Sequence, residues 1–246
     1  MNVIILAAGT GKRLRSVTNL PKCMLDIEGS SLLHRYLDSL HALAPGNTQI
    51  FIVVGYKSQA VLDHVQGHPL GEKVEFIEHR EYEAGSILSI WAARKALEGD
   101  VLLMDGDVYF RPDLLALLLG SSHRSVLLVD TASVNTGEEI MVGITDNTVV
   151  AVGRGMTGEF EAYGEWVGFL RLDGNGSHAF REELAKHIGK GRRDIGYEDA
   201  LIDVTRAVHV GCELTGGIPW IEIDFPEDLA RARALALATD DYDEQQ

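Results

Sequence analysis

Lys12, Arg13, Arg15 and Lys22 crowd the residues just after two glycines, Gly9 and Gly11, and the two glycines close a short apolar run, Val3–Ala8. A strand end, a glycine turn and several fixed cations suit a polyphosphate. The glycines let the backbone approach an anion and turn N–H groups toward it, while the cations neutralise its charge. Two common phosphate loops are excluded by the residues themselves. A Walker A loop needs Ser or Thr after Gly11-Lys12, where Arg13 stands, and a dinucleotide fingerprint counted from Gly9 needs a glycine where Leu14 stands.

Two acidic motifs complete the chemistry. Asp105-Gly106-Asp107 is a compact turn at the end of an apolar run, and carboxylates at a strand end suit Mg²⁺, which takes oxygen ligands and shares its shell with substrate phosphates. Far along the chain, Trp220-Ile221-Glu222-Ile223-Asp224 alternates, so Glu222 and Asp224 share one face and Ile221 and Ile223 the other. Taken alone, each motif also fits a solvated turn or sheet edge.

The elements that position these residues follow from hydrophobic period. Strands are expected at Val3–Ala7, Ile50–Val54, Val74–Ile77, Val101–Met104 and Val126–Val129. Helices fall between them at Leu32–Leu43, Ser58–Val65, Ile87–Leu97 and Pro112–Leu119. Pro112 fits the first turn of its helix. Such βα alternation argues for a mostly parallel sheet covered by helices. Beyond residue 130 the pattern changes. A hairpin is expected at 140–152 around Asp146-Asn147, strands at Trp166–Leu172, His209–Leu214 and Trp220–Ile223, and helices at Ser177–His187, Asp199–Val208 and Pro226–Ala238. In open sheets of this kind ligands bind beyond the carboxyl ends of the strands, where both the Gly9–Lys22 loop and Asp105–Asp107 would lie.

Composition narrows the partners. The 246 residues carry a net charge of −15, which disfavours nucleic acid and anionic membranes and makes the basic loop a local exception. No apolar run approaches the ~20 residues of a membrane span, and residues 2–8 are too short for a signal peptide. Cys23 and Cys212 give no disulfide framework, so a cytoplasmic location is expected. We expect one domain over 1–238, with a nucleotide-binding core at 1–130, an acceptor-binding extension of the same sheet at 131–238, and a frayed acidic tail at 239–246. A homo-oligomer remains open.

The stretch Leu6-Ala7-Ala8-Gly9-Thr10-Gly11-Lys12-Arg13-Leu14, with Thr18 and Pro21-Lys22-Cys23-Met24 following, resembles the loop of nucleotidyltransferases that join a nucleoside triphosphate to a phosphorylated small molecule. Molybdenum-cofactor guanylyltransferases and methylerythritol-phosphate cytidylyltransferases are similar but place the lysine closer to the arginine. The spacing here resembles the sugar-1-phosphate nucleotidyltransferases and the smaller cytidylyltransferases acting on phosphocholine, aminoethylphosphonate or inositol phosphate. Segments 83–89, 104–109, 164–169 and 220–224 are similar to the smaller group. One departure is Gly85-Ser86, where phosphocholine enzymes carry Asn-Asn beside the nucleotide base. Ser86 could also cap a helix.

The resemblance implies a Rossmann-like three-layer α/β sandwich with a mostly parallel mixed sheet, of glycosyltransferase-A-like type. It implies a cytidylyltransferase using CTP, Mg²⁺ and a small phospho- or phosphono-acceptor, with Lys22, Arg13 and Asp107 catalytic. Nucleotide contacts are expected from Leu6, Ala7, Ala8, Gly9, Thr10, Gly11, Lys12, Arg13, Gly85, Ser86, Ser89 and Asp105, and metal ligation from Asp107, Glu222 and Asp224. For the acceptor, the candidates are Lys22, Tyr163, Glu165, Trp166, Tyr197, Glu198 and Asp199, because aromatic faces and carboxylates suit a cationic head group. A sugar-1-phosphate or inositol-1-phosphate nucleotidyltransferase, and a non-catalytic nucleotide-binding regulator, are the alternatives.

Overall fold

Alternate residues of the central strands are buried in two separate cores, so the sheet must be covered on both faces. In β1 (Asn2–Ala7), Val3, Ile5 and Ala7 enter one core and Ile4 the other. This explains why the strand reads as a continuous apolar run rather than as an alternation. The computed structural model describes residues 1–243. After β1 come a small hairpin, β2 (Asp26–Ile27) and β3 (Ser30–Ser31), then α1 (Leu32–Leu43), β4 (Gln49–Val54), α2 (Ser58–Gln66) and β5 (Val74–Glu78). The chain continues through α3 (Ser86–Ala92), β6 (Val101–Asp105), β7 (Val108–Phe110), α4 (Pro112–Gly120) and β8 (Val126–Asp130). The remainder forms β9 (Met141–Thr145), β10 (Thr148–Gly153), β11 (Ala162–Leu172), α5 (Gly174–Gly189), α6 (Glu198–Ala207), β12 (Gly211–Leu214), β13 (Trp220–Glu222) and α7 (Pro226–Asp243).

The main sheet runs β5-β4-β1-β6-β11-β8-β12-β10-β9. Strands β5, β4, β1 and β6 are parallel neighbours, as are β8 and β12, while β11 and β10 run against the strands beside them. Helices α1, α2, α4 and α7 pack into one core and α3, α5 and α6 into the other. The fold is a three-layer α/β sandwich with a mixed sheet. Register sets the site: Leu6 of β1 lies opposite Asp105 of β6, so the phosphate loop and the acidic turn leave the same sheet edge side by side.

Several elements differ from the sequence expectation: the β2–β3 hairpin was not expected, and β11 starts at Ala162 rather than Trp166. The helix expected over Ile87–Leu97 ends at Ala92. Ala93, Ala96 and Leu97 are still buried, but on tight turns in which Ala96 N donates to Ala93 O at 2.8 Å. The strand β7 directly after the acidic turn is an addition; it pairs with β13 and brings Val108 opposite Glu222. Helix α7 continues past Ala238 to Asp243, with no glycine or proline between to stop it, and the rest of the expected tail, 244–246, lies outside the described residues.

Candidate active site

The glycine loop after β1 is shaped by local geometry. Gly11 takes the left-handed conformation at φ 56°, and a short 3₁₀ turn, Lys12–Leu14, follows it. Leu14 is buried, which anchors the turn and leaves Lys12 and Arg13 exposed. Lys12 pairs with Glu83 at 3.1 Å. A second 3₁₀ turn after Pro21 directs Lys22 back into the cleft. Leu6, Ala7, Gly9, Thr10, Gly11, Lys12, Arg13 and Lys22 line one cavity of about 330 Å³, together with Tyr82, Gly106, Asp107 and Asp224. Ala8 is buried just beneath, its carbonyl accepting from Tyr56 N at 3.1 Å.

Lys22 is the centre of the charge network. Its Nζ donates to Asp107 Oδ2 at 2.9 Å and to Asp224 Oδ1, and Arg13 donates to Asp224 Oδ2 at 2.9 Å. Burial opposes the ammonium charge, but Asp107 and Asp224 outweigh it and hold Lys22 above the usual lysine range. The Arg13 guanidinium also lies 4.8 Å from the centre of the Phe225 ring.

Asp107, Glu222 and Asp224 each offer a carboxylate oxygen, all within 4.8 Å of one another, a donor set of hard oxygens that fits Mg²⁺. Two backbone devices gather them. Ile223 N donates to Asp107 O at 2.9 Å, extending the β13–β7 pairing, and Ile223 is fully buried. Asp228, the third residue of α7, accepts from the amides of Asp224 at 3.0 Å and Phe225 at 2.7 Å, the acid half of a capping box. Glu222 keeps an edge in solvent, yet desolvation in the cleft and the charges of Asp107 and Asp224 push it up to about 8.

Asp105 takes a different role from its neighbour. Tyr197 Oη donates to its Oδ2 at 2.8 Å, and Tyr36 Oη donates to its carbonyl. Burial, then Asp107 and Glu198, push its carboxyl well above the usual range. Gly168, at φ 85° in the irregular part of β11, makes the room. A Cβ there would stand 2.7 Å from Asp105 Oδ2.

A larger cavity of about 1040 Å³ adjoins the first, and Arg13 and Asp224 line both. Its walls are acidic and aromatic: Glu165, Glu198, Asp105 and Glu222, with Trp166, Trp220 and Phe225. Sequence reasoning missed several of its residues. Asp130 accepts from Trp220 Nε1 at 2.8 Å, while Ser133, Glu138 and Glu139 come from the irregular segment 131–140, and Arg154 follows β10. Burial raises Glu165, with Glu139 and Asp130 adding to the effect, and burial raises Glu198 as well.

Other expected residues lie away from the two cavities. Tyr197 is 1% exposed, its ring packed edge-on against Trp166 and Phe180, so it supports Asp105 rather than lining the larger cavity. Asp199 faces outward toward Arg192 at 3.7 Å. Tyr163 stacks on Phe160 and accepts from Asn135 Nδ2 at 3.0 Å. Gly85, not Ser86, is the N-cap of α3. Gly85 N donates to Arg193 O, and Ser86 Oγ accepts from Tyr197 N at 3.1 Å, so this pair anchors segment 193–197. Ser89 is half-buried on α3 and, like Gly85 and Ser86, is absent from both linings.

Over 95% of its length the chain is 27% identical to the bifunctional IPC transferase and DIPP synthase of Rubrobacter xylanophilus, covering 51% of that protein. Over 48% of its length it is 34% identical to the bifunctional protein GlmU of Methanococcus vannielii, covering 27% of it. The chain thus spans about half or less of these curated relatives. Among solved structures, the CTP:phosphocholine cytidylyltransferase of Streptococcus pneumoniae superposes with a TM-score of 0.76 at 21% identity, covering 96% of this chain and 98% of that one. The inositol-1-phosphate CTP transferase of T. maritima gives 0.74 at 22% identity, covering 95% and 94%. At such identities the likeness shows the fold. The MobA-like NTP transferase domain model matches residues 3–169, a span that holds the phosphate loop, Lys22 and Asp105–Asp107, and the chain belongs to that family.

Proposed function

We propose that this protein is a Mg²⁺-dependent cytidylyltransferase that moves CMP from CTP to a small phosphorylated or phosphonate amino alcohol, of phosphocholine or 2-aminoethylphosphonate type, and releases pyrophosphate. The observation that carries the reading is the pair of adjoining cavities, one basic and glycine-lined, the other acidic and aromatic, sharing Arg13 and Asp224. An acceptor with a phosphate at one end and a cation at the other matches that polarity. Its anionic end would lie toward Arg13 and Lys22, and its cationic end among Glu165, Glu198, Trp166 and Trp220.

In this reading the Gly9–Gly11 backbone and Lys12 bind the triphosphate. Arg13 and Lys22 neutralise the reacting phosphates as an acceptor oxygen attacks the α-phosphorus in line and pyrophosphate leaves opposite. No general base is required, because a phosphate monoester with a second pKa near ~6 is largely dianionic at neutral pH. Bringing two anions together is the difficulty, so the residues act by positioning and by charge. Asp107, Asp224 and Glu222 would hold the Mg²⁺, which supplies further charge neutralisation at the phosphates. Asp105, held by Tyr197 from beneath, stiffens the wall of the larger cavity.

A second reading, transfer to inositol 1-phosphate or a sugar 1-phosphate, is favoured by the alignment over 95% of the chain with the Rubrobacter protein. Pyrophosphate release with Mg²⁺ separates the two when CTP, UTP, GTP and dTTP are crossed with phosphocholine, 2-aminoethylphosphonate, inositol 1-phosphate and glucose 1-phosphate. Turnover with CTP and a cationic acceptor supports the first reading, and turnover confined to inositol or glucose phosphate replaces it. Turnover with none of these acceptors would favour the regulator.

A further inference from the structure

Asp224 spends both of its carboxylate oxygens on cations, Oδ1 on Lys22 and Oδ2 on Arg13, and Asp107 gives Oδ2 to the same lysine. Two of the three acids that would ligate a divalent ion are therefore bridged by one ammonium. We propose that Lys22 is the built-in counter-ion of Asp107 and Asp224 and competes with the divalent cation for them, so that the metal enters with the nucleotide rather than ahead of it. The inference rests on the metal assignment made in the proposed function.

The argument is electrostatic. A divalent ion ligated by Asp107 and Asp224 would sit within about 4 Å of the ammonium that these carboxylates hold, and like charges at that distance repel strongly in a poorly solvated cleft. Lys22 must withdraw. Its side chain is only 18% exposed, so withdrawal strands a charge with little water to receive it. A polyphosphate provides the replacement anion, because Lys22 faces the same cavity as Gly9, Gly11 and Lys12. The carboxylates then pass to the metal and the ammonium passes to the phosphates. Arg13 can follow the same exchange at lower cost, since its side chain is 52% exposed and also reaches Glu138 at 3.7 Å. Metal and nucleotide must then strengthen each other's binding by one common factor.

Mn²⁺ binding followed by electron paramagnetic resonance tests this without turnover. For the unaltered protein, a non-hydrolysable CTP analogue should tighten Mn²⁺ binding by about 5- to 150-fold, the usual range of such coupling. Lys22→Met, or Lys22→Gln should the first variant fold poorly, should bind Mn²⁺ alone at least about 5-fold more tightly, and the tightening by the analogue should shrink. Arg15→Met removes an exposed cation from the same loop and should shift Mn²⁺ affinity by no more than about twofold, because exposed charge is screened. Lys22 variants that bind Mn²⁺ no better than the unaltered protein overturn the exchange, and so does an equal gain from Arg15→Met. Asp107→Asn added to Lys22→Met should abolish the bound Mn²⁺. If binding persists there, the metal assignment fails and the exchange fails with it, whereas loss there without any Lys22 effect overturns the exchange alone.

Discussion

Tyr197→Phe should destabilise the protein through one hydroxyl. The Tyr197 ring is 1% exposed and packs edge-on on Trp166, with centroids 5.5 Å apart, and on Phe180 at 6.4 Å. Phenylalanine keeps those contacts and loses only the 2.8 Å hydrogen bond to Asp105 Oδ2. Asp105 has little water to replace it, since burial dominates the rise in its pKa and the Gly168 backbone closes over the carboxyl. Leaving a buried acceptor unpaired costs about 1–3 kcal/mol. For a domain of this size about 1 kcal/mol lowers Tm by roughly 2–4 °C, so calorimetry should show a fall of about 2–12 °C. A double-mutant cycle locates the effect. In an Asp105→Ala background the acceptor is gone, and Tyr197→Phe should then cost close to nothing. An unchanged Tm in the single variant, or an equal loss in both backgrounds, would refute the claim that Tyr197 stabilises by holding Asp105.

Gly85→Ala should act on the same segment by collision. Its Cβ would lie 2.1 Å from Ile195 O and 2.6 Å from Asp194 C, backbone that cannot rotate away, so thermal denaturation should register a loss of about 1–3 kcal/mol or more. Asp228→Ala removes the acceptor that fixes the amides of Asp224 and Phe225, and urea titration should show a loss of about 0.5–2 kcal/mol, in the range of a lost helix cap. Lys22→Ala should lower kcat by about 10²-fold in the pyrophosphate assay, as loss of one electrostatic donor does elsewhere; near-normal turnover would remove Lys22 from the mechanism. His64 stacks on His34 at 4.0 Å, and burial, then His34 and His68, lower its pKa below the usual histidine value. The folded state therefore binds fewer protons than the unfolded state. Stability is complete above about pH 6.5 and is lost as pH falls through the lowered value, so Tm should drop toward pH 5 and drop less in His64→Gln.

The basic loop and the cluster of Asp107, Glu222 and Asp224 were legible because their chemistry is written in residue type. Gly9, Gly11, Arg13 and Lys22 have no equally good structural use at that spacing, and the alternation at 220–224 already puts Glu222 and Asp224 on one face. The larger cavity was legible only in part: Glu165, Trp166 and Glu198 line it, as expected, but the rest of its wall was not readable. Ser133, Glu138 and Glu139 lie on an irregular segment with no period to read, and Asp130 gains meaning only when Trp220, ninety positions on, donates to it. Tyr197 misled because an aromatic beside acids reads equally as a wall or as a core residue, and its burial decides for the core. The over-long expectation for α3 has a related cause: spacing reports that Ala93, Ala96 and Leu97 face inward, but not whether helical or turn hydrogen bonds put them there.

The position of β11 bears on how the chain folds as it is made. This strand, residues 162–172, lies between β6 and β8, which are finished some thirty residues or more before it. Until β11 is synthesised, β6 presents one unpaired edge and β8, whose other neighbour β12 comes later still, presents two, and the β1–β4–β5 side can assemble without closing the sheet. Asp224 arrives later still, with the segment that leads into α7. A nascent chain would thus hold its glycine loop well before the Asp107, Glu222 and Asp224 cluster forms, and a ribosome pause before residue 162 would leave the edges of β6 and β8 open to other chains.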